Sequence, residues 1–242
     1  MRLPWNRGGI RSYLMLLGLV AGTSTHVSVA AGSAVLAVGV LLHFWSKGCL
    51  KRNLEVTTSG AYRFVRHPFY LANALIDAGI VDMSGCWLLA AAAPLLWLWA
   101  YVPTIRREEA YLTQRFGQAY ATYRRQVPVL LPWRRPLPHD GNGSAWQFQN
   151  ILNENEIPRA LRLLACPLPF CMLSEIHAHG WAMLDRRSSV SLALAGAWLA
   201  MYAAAWAAGS WTRSRAIQGT RPVAECFLPL GPTGLPAGRT AP

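Results

Sequence analysis

Apolar residues fall in long blocks rather than at alternating positions, so the pattern predicts helices. The first block runs from about Ile10 to Trp45. At ~1.5 Å per residue it is far too long for one ~30 Å bilayer crossing. The cluster Gly22-Thr23-Ser24-Thr25-His26 interrupts it, which predicts two helices, about 10–25 and 27–46, joined by a tight turn. A third helix is expected from Pro68 to Asp82 and a fourth from Cys86 to Ile105, separated by Asp82-Met83-Ser84-Gly85. From Glu108 to Arg125 the residues Leu112, Phe116, Ala119, Tyr120 and Tyr123 recur at helical spacing, with Arg107, Gln114, Gln118 and Arg125 towards another face. That stretch reads as an amphipathic helix at a membrane surface. Pro128, Pro132, Pro136 and Pro138 then close the unit.

Residues 139–156 are polar and read as a linker between a core, 1–138, and an extra unit, 157–210. The stretch from Ile157 to Leu184 is apolar but broken by Pro158, Pro167, Pro169, Glu175, His177 and His179. It reads either as an interfacial or re-entrant helix or as an imperfect span. Val190 to Ala208 is expected to be a fifth span, and 211–242, rich in Arg, Gly and Pro, a disordered tail. The expected class is all-α, a polytopic membrane bundle of about five helices.

Composition sharpens this picture. Of 242 residues 53% are hydrophobic and only 14% are charged. A disordered chain would be poor in apolar residues. A soluble nucleic-acid binder is also disfavoured despite the net charge of +12, because such proteins are seldom this apolar. The cations are placed unevenly. Arg2, Arg7 and Arg11 precede the first span, and no basic residue lies in the first outer turn. Lys47, Lys51, Arg52, Arg63 and Arg66 follow the second span. Arg106, Arg107, Arg115, Arg124 and Arg125 follow the fourth. The positive-inside rule puts both ends of this four-helix unit in the cytoplasm. An N-terminal signal peptide is disfavoured because further apolar runs follow.

Asp77 within the third helix is expected to face protein, either bonding a neighbouring helix or lining an acceptor cavity. The five cysteines, Cys49, Cys86, Cys166, Cys171 and Cys226, form no paired motif. They do not read as a disulfide framework or a zinc site. Cys166, Cys171, His177 and His179 match no ligand spacing, so no metal is expected.

Chemistry concentrates in two places. One is the run Thr57-Thr58-Ser59-Gly60-Ala61-Tyr62-Arg63-Phe64-Val65-Arg66-His67-Pro68-Phe69-Tyr70. Pro68 suits a first helical turn, whose N–H groups carry the positive end of the helix dipole. With Arg66 and His67 beside it, this run reads either as an anion-binding corner or as a basic loop anchored by lipid phosphates. The other is Arg106-Arg107-Glu108-Glu109. Helical neighbours point about 100° apart, so one carboxylate at most faces a given pocket. The alternative is a salt-bridged helix segment.

The two blocks together resemble the isoprenylcysteine carboxyl methyltransferase family, which is grouped with phospholipid N-methyltransferases. The resemblance rests on Ser59-Gly60-Ala61-Tyr62 and Arg66-His67-Pro68-Phe69-Tyr70. It also rests on Glu108-Glu109, Leu112, Phe116-Gly117, Tyr120, Tyr123, Val127-Pro128 and Leu131-Pro132. It covers about 35–135. It implies S-adenosyl-L-methionine held between the loop and a cytoplasmic amphipathic helix that closes the pocket. The implied cofactor residues are Tyr62, His67, Pro68, Phe69, Tyr70 and Glu108, with Glu109 as a neighbour. Arg106 and Glu108 are the expected catalytic pair; an acceptor carboxylate needs a cation to place it, which Arg106 or Arg107 could supply. The implied acceptor is lipidic or prenylated, entering sideways from the bilayer, with carboxyl O-methylation of an isoprenylcysteine-like group as the first reading. Phosphatidylethanolamine N-methylation is the alternative. A nicotinamide-dependent sterol-type reductase and a non-enzymatic membrane protein are the competing classes. No nucleic acid is expected as a partner.

Overall fold

A computed structural model describes residues 7–50, 55–138, 146–152 and 156–180, with isolated positions between 193 and 204. Among the described residues the architecture is an all-α helical bundle without strands. Helices α1 (Arg7–Ala21), α2 (His26–Cys49), α3 (Pro68–Ser84) and α4 (Trp87–Phe116) fall where the hydrophobic pattern places the first four helices. The short helices α5 (Gln118–Gln126), α6 (Gln149–Leu152), α7 (Glu156–Ala165) and α8 (Pro167–His179) follow. The expected fifth span lies largely outside the described residues, and the tail entirely so.

Local chemistry sets the boundaries. The Thr25 hydroxyl accepts from the Ser28 amide at 3.1 Å, and the Ser28 hydroxyl accepts from the Thr25 amide at 3.0 Å. This reciprocal cap starts α2. Pro68 opens α3, and Gly85 closes it in a left-handed conformation, φ +63°. Gly117, φ +51°, separates α4 from α5.

Helices α2 and α3 touch backbone to backbone. A Cβ at Gly32 would lie 2.5 Å from the Gly79 carbonyl oxygen, and one at Gly79 2.6 Å from the Gly32 carbonyl oxygen. Small residues permit such an approach between membrane helices, where dispersion replaces the hydrophobic drive. Ile76, Ile80 and Met83 of α3, with Leu36 of α2 and Phe170 of α8, centre the main core. Arg11 of α1 joins this packing through Asp77, at 2.7 Å, and Asn73, at 3.1 Å. Of the two roles expected for Asp77, the structure shows the bond to a neighbouring helix.

Among the described residues three stretches are long and apolar enough to cross a membrane: His26–Cys49, Trp87–Phe116 and Glu156–His179. The third covers most of the stretch 157–184, of which 181–184 lie outside the described residues. Its start, Glu156, meets His43 near the end of α2, while His177 meets the Ser24 carbonyl just before α2 begins, at 3.2 Å. The α7–α8 pair therefore runs the length of α2 and antiparallel to it. Residues 146–152, expected within a polar linker, pack against the end of α2. The Gln147 amide donates to the Gly48 carbonyl at 3.0 Å, and the Asn150 side chain donates there at 3.2 Å.

The amphipathic helix expected over 108–125 takes a different form. Helix α4 continues unbroken through Glu108 and Glu109 to Phe116, and α5 is separate. Thirty residues span about 45 Å, while about 20 suffice for a crossing. The polar end from Arg106 onward therefore projects beyond the apolar layer and carries the acidic pair on the same helix, outside the crossing.

Candidate active site

The run from Ser59 to Tyr70 is held on three sides. Gly60 adopts φ +56° with its α-carbon against the Cys49 sulfur, so a Cβ has no room there. Residues Gly60–Arg63 form a short 3-10 turn. The Arg63 guanidinium donates to the Leu137 carbonyl at 2.7 Å. The Arg66 and His67 amides donate to the Pro128 and Val129 carbonyls at 2.8 and 3.1 Å. The Tyr123 hydroxyl donates to the Tyr62 carbonyl at 2.8 Å. The loop before α3 and the segment after α5 thus form one layer over the polar end of α4.

This pairing narrows the donors left for an anion. The amides of Arg66 and His67 already serve carbonyls, and Pro68 has none. The Arg66 side chain is equally committed. It contacts Glu109 Oε1 at 2.7 and 2.9 Å and donates to the Arg124 and Val127 carbonyls, both at 2.8 Å. Arg66 is a clamp between α4, α5 and the loop.

The two adjacent glutamates divide the work, as the helical turn between them requires. Glu109 is buried. Its carboxylate meets Arg66, His67 Nε2 at 3.4 Å and Arg124 at 3.8 Å. The His67 hydrogen bond and the Arg66 guanidinium outweigh burial and hold its pKa down to about 2. Glu108 has a side chain 45% exposed and accepts from the Tyr70 hydroxyl at 2.7 Å. His67 Nδ1 lies 3.9 Å from the same carboxylate. Glu108 is thus the open carboxylate, fixed from behind, and Glu109 the structural one.

Aromatic rings back this arrangement. The Tyr70 ring stands edge-on to Tyr101 at 5.5 Å, and Trp97 stacks on Tyr101 at 4.7 Å. Tyr62 is buried and meets Phe69 edge-on at 6.4 Å. The Tyr120 hydroxyl and the Ser59 hydroxyl are buried with no hydrogen-bond partner among the described residues. Burial and the nearby Glu109 charge push the Tyr120 phenol up to about 12.

The structure gathers His67, Pro68, Tyr70, Glu108 and Glu109, with Phe69 and Tyr62 adjoining. It does not gather Arg106, which is exposed and about 200° around α4 from Glu108. Sequence reasoning missed the clamp role of Arg66 and the backing by Tyr101 and Trp97, because nothing local in the chain marks a partner tens of residues away. Cys166, Cys171, His177 and His179 do not converge: His177 meets Ser24 and His179 meets Glu175. Among the described residues no cluster of His, Cys, Asp or Glu is arranged to hold a metal.

Residues 27–114 match the isoprenylcysteine carboxyl methyltransferase (ICMT) family. That segment holds α2, the loop, α3 and the acidic pair. Methanethiol S-methyltransferase 1 of Bradyrhizobium diazoefficiens is 36% identical over 76 residues, 31% of this chain and 26% of the relative. Protein-S-isoprenylcysteine O-methyltransferase of Schizosaccharomyces pombe is 35% identical over 85 residues, 34% of this chain and 36% of the relative. A nickel-cobalt-cadmium resistance protein of Alcaligenes xylosoxydans xylosoxydans is 28% identical over 128 residues, 49% of this chain and 60% of the relative. In each case the chain matches less than two thirds of the relative's length. No solved structure matches significantly. The family match and the three apolar helices mark an integral membrane protein.

Proposed function

We propose that the chain is an integral-membrane methyltransferase that uses S-adenosyl-L-methionine and methylates a lipidic or prenylated acceptor. The observation that carries this reading is Glu108: one open carboxylate, oriented by Tyr70 and backed by His67, at the mouth of an aromatic layer. The family match and the relatives named as methyltransferases support it.

The residues present fit such a cofactor. When bound, it supplies an electrophilic methyl group on a cationic sulfur. Glu108 offers the negative charge that a sulfonium or ammonium requires, and Tyr70 keeps that charge aimed outward. Tyr62, Phe69 and Tyr70 offer ring faces and edges for the adenine or the cation. The hydroxyls of Tyr120 and Ser59, buried and unpaired among the described residues, are further polar contacts. Methyl transfer is a direct displacement, so alignment rather than proton transfer carries most of the rate. The acceptor carboxylate is already ionised and needs a cation to place it. Arg106, exposed on the opposite side of α4 from Glu108, is the proposed cation, serving the acceptor and not the cofactor. The cofactor site lies on the cytoplasmic side, following the Arg-rich ends of the helices.

The experiment is transfer of labelled methyl from S-adenosyl-L-methionine to N-acetyl-farnesylcysteine by the purified protein in detergent. Base-labile label on the acceptor supports a carboxyl ester. Base-stable label on a thiol or an amine in its place would keep the methyltransferase and replace the acceptor. Absence of transfer to carboxylate, thiol and phosphatidylethanolamine acceptors would count against the reading.

A further inference from the structure

Behind Phe69 lies a second charged cluster that the reading above does not use. Glu156, at the start of α7, is buried. His43 Nε2 lies 2.9 Å from its Oε2, and Lys47 Nζ 3.8 Å from its Oε1. Arg159 donates to both oxygens, at 3.0 and 2.8 Å. His43 and Lys47 are buried too. Such a group is costly to bury, and removing one partner leaves the others uncompensated. Ionisable residues among membrane helices are functional candidates by default.

The cluster reaches the candidate site through one ring. Phe69 stands 5.0 Å from the His43 ring, edge to face, and Lys47 Nζ lies 5.8 Å from the Phe69 centroid. The same ring meets Tyr62 at 6.4 Å. Phe69 is therefore packed between the charged cluster and Tyr62. Glu156 bonds His43 through Nε2, so the His43 Nδ1, buried and unpartnered among the described residues, is turned away from the carboxylate. Glu156 fixes the His43 ring, attracts Lys47, and thereby fixes both groups that flank Phe69. Glu156 also lies outside the matched segment, 27–114.

We propose that Glu156 is a positioning residue. The α7 segment completes the cofactor site by holding His43 and Lys47 against Phe69, which holds that ring at the angle it needs toward Tyr62 and the cofactor. The proposal rests on the function proposed above.

The test is a double-mutant cycle on S-adenosyl-L-methionine binding, measured by calorimetry on the full chain in detergent. Glu156→Gln and Phe69→Ala are each expected to weaken binding about fivefold, and the double variant to be no weaker than Phe69→Ala alone, since contacting residues are non-additive. A purely structural role for Glu156 gives independent effects, multiplying to about 25-fold, and that result overturns the proposal. So does wild-type affinity in Glu156→Gln. Should Glu156→Gln fail to fold, Lys47→Met enters the cycle with the same expectation. His67→Ala separates the two levels: if it loses binding while the cycle is additive, the function stands and this inference falls. A well-folded wild type that does not bind removes both.

Discussion

The Tyr70 hydroxyl donates to Glu108 at 2.7 Å, across 38 residues of sequence, and joins the start of α3 to the polar end of α4. One hydrogen bond thus ties the two sequence blocks that carry the chemistry. Tyr70→Phe keeps the ring packing on Tyr101 and removes only the donor. Its expected effect is a loss of about tenfold to a hundredfold in S-adenosyl-L-methionine affinity, the worth of a hydrogen bond to a charged group, with little change in melting temperature. Calorimetric titration beside a thermal melt checks both halves.

Arg66 behaves differently, because its guanidinium is committed on every side. Arg66→Met takes from Glu109, whose side chain is only 12% exposed, its closest cation, and leaves two carbonyls without their donor. The expected cost is about 3 kcal/mol of stability or more, typical of breaking a buried pair. Denaturation in detergent reads it. A variant that melts like wild type would contradict the clamp.

The depressed pKa of Glu109 gives a pH signature. Its folded value, about 2, lies below its ordinary one, so its contribution is complete above the ordinary value and is lost as pH falls toward 2. The wild type should exceed Glu109→Gln by about 3 kcal/mol at neutral pH, before relaxation of the variant. That gap should close from about pH 5 downward. Parallel unfolding curves at stepped pH values check it, and a gap that is independent of pH would contradict the assignment.

Much of the fold was legible because apolar blocks and breakers are local signals. The Gly22–His26 cluster stops α1 and caps α2, and Pro68 starts α3, each by chemistry within a few residues. The site was legible as two motifs, though their internal division was not. Which glutamate is buried depends on where Arg66 lands, 43 residues earlier in the chain. Two donors of the expected anion corner were committed for a related reason, since the carbonyls of Pro128 and Val129 claim the Arg66 and His67 amides. The amphipathic helix ran differently because Gly117 breaks the chain after the acidic pair rather than before it. Glu156 gave no signal at all, because its partner His43 lies 113 residues away.

Close packing of α2 on α3 is a separate prediction. Gly32→Val places atoms where the Gly79 carbonyl already sits. Overpacking of this kind costs about 1–3 kcal/mol or more, and α3 carries the site at its start. Size-exclusion profiles and thermal melts should show a less stable protein, and a wild-type melt would contradict the contact.

Arg106 isolates the acceptor half of the account. Arg106→Ala is expected to leave cofactor affinity within about twofold and to raise the KM for a carboxylate acceptor about tenfold, the loss of one charge-assisted contact. A cofactor-binding defect with unchanged acceptor KM would assign Arg106 the other role.

The most direct measurement is S-adenosyl-L-methionine binding to the detergent-purified protein, with Glu108→Ala and His67→Ala beside it. The account predicts saturable binding by the wild type and loss of binding in both variants, with both still folded. Well-folded wild-type protein that does not bind, or a Glu108→Ala variant that binds as tightly as wild type, would contradict it.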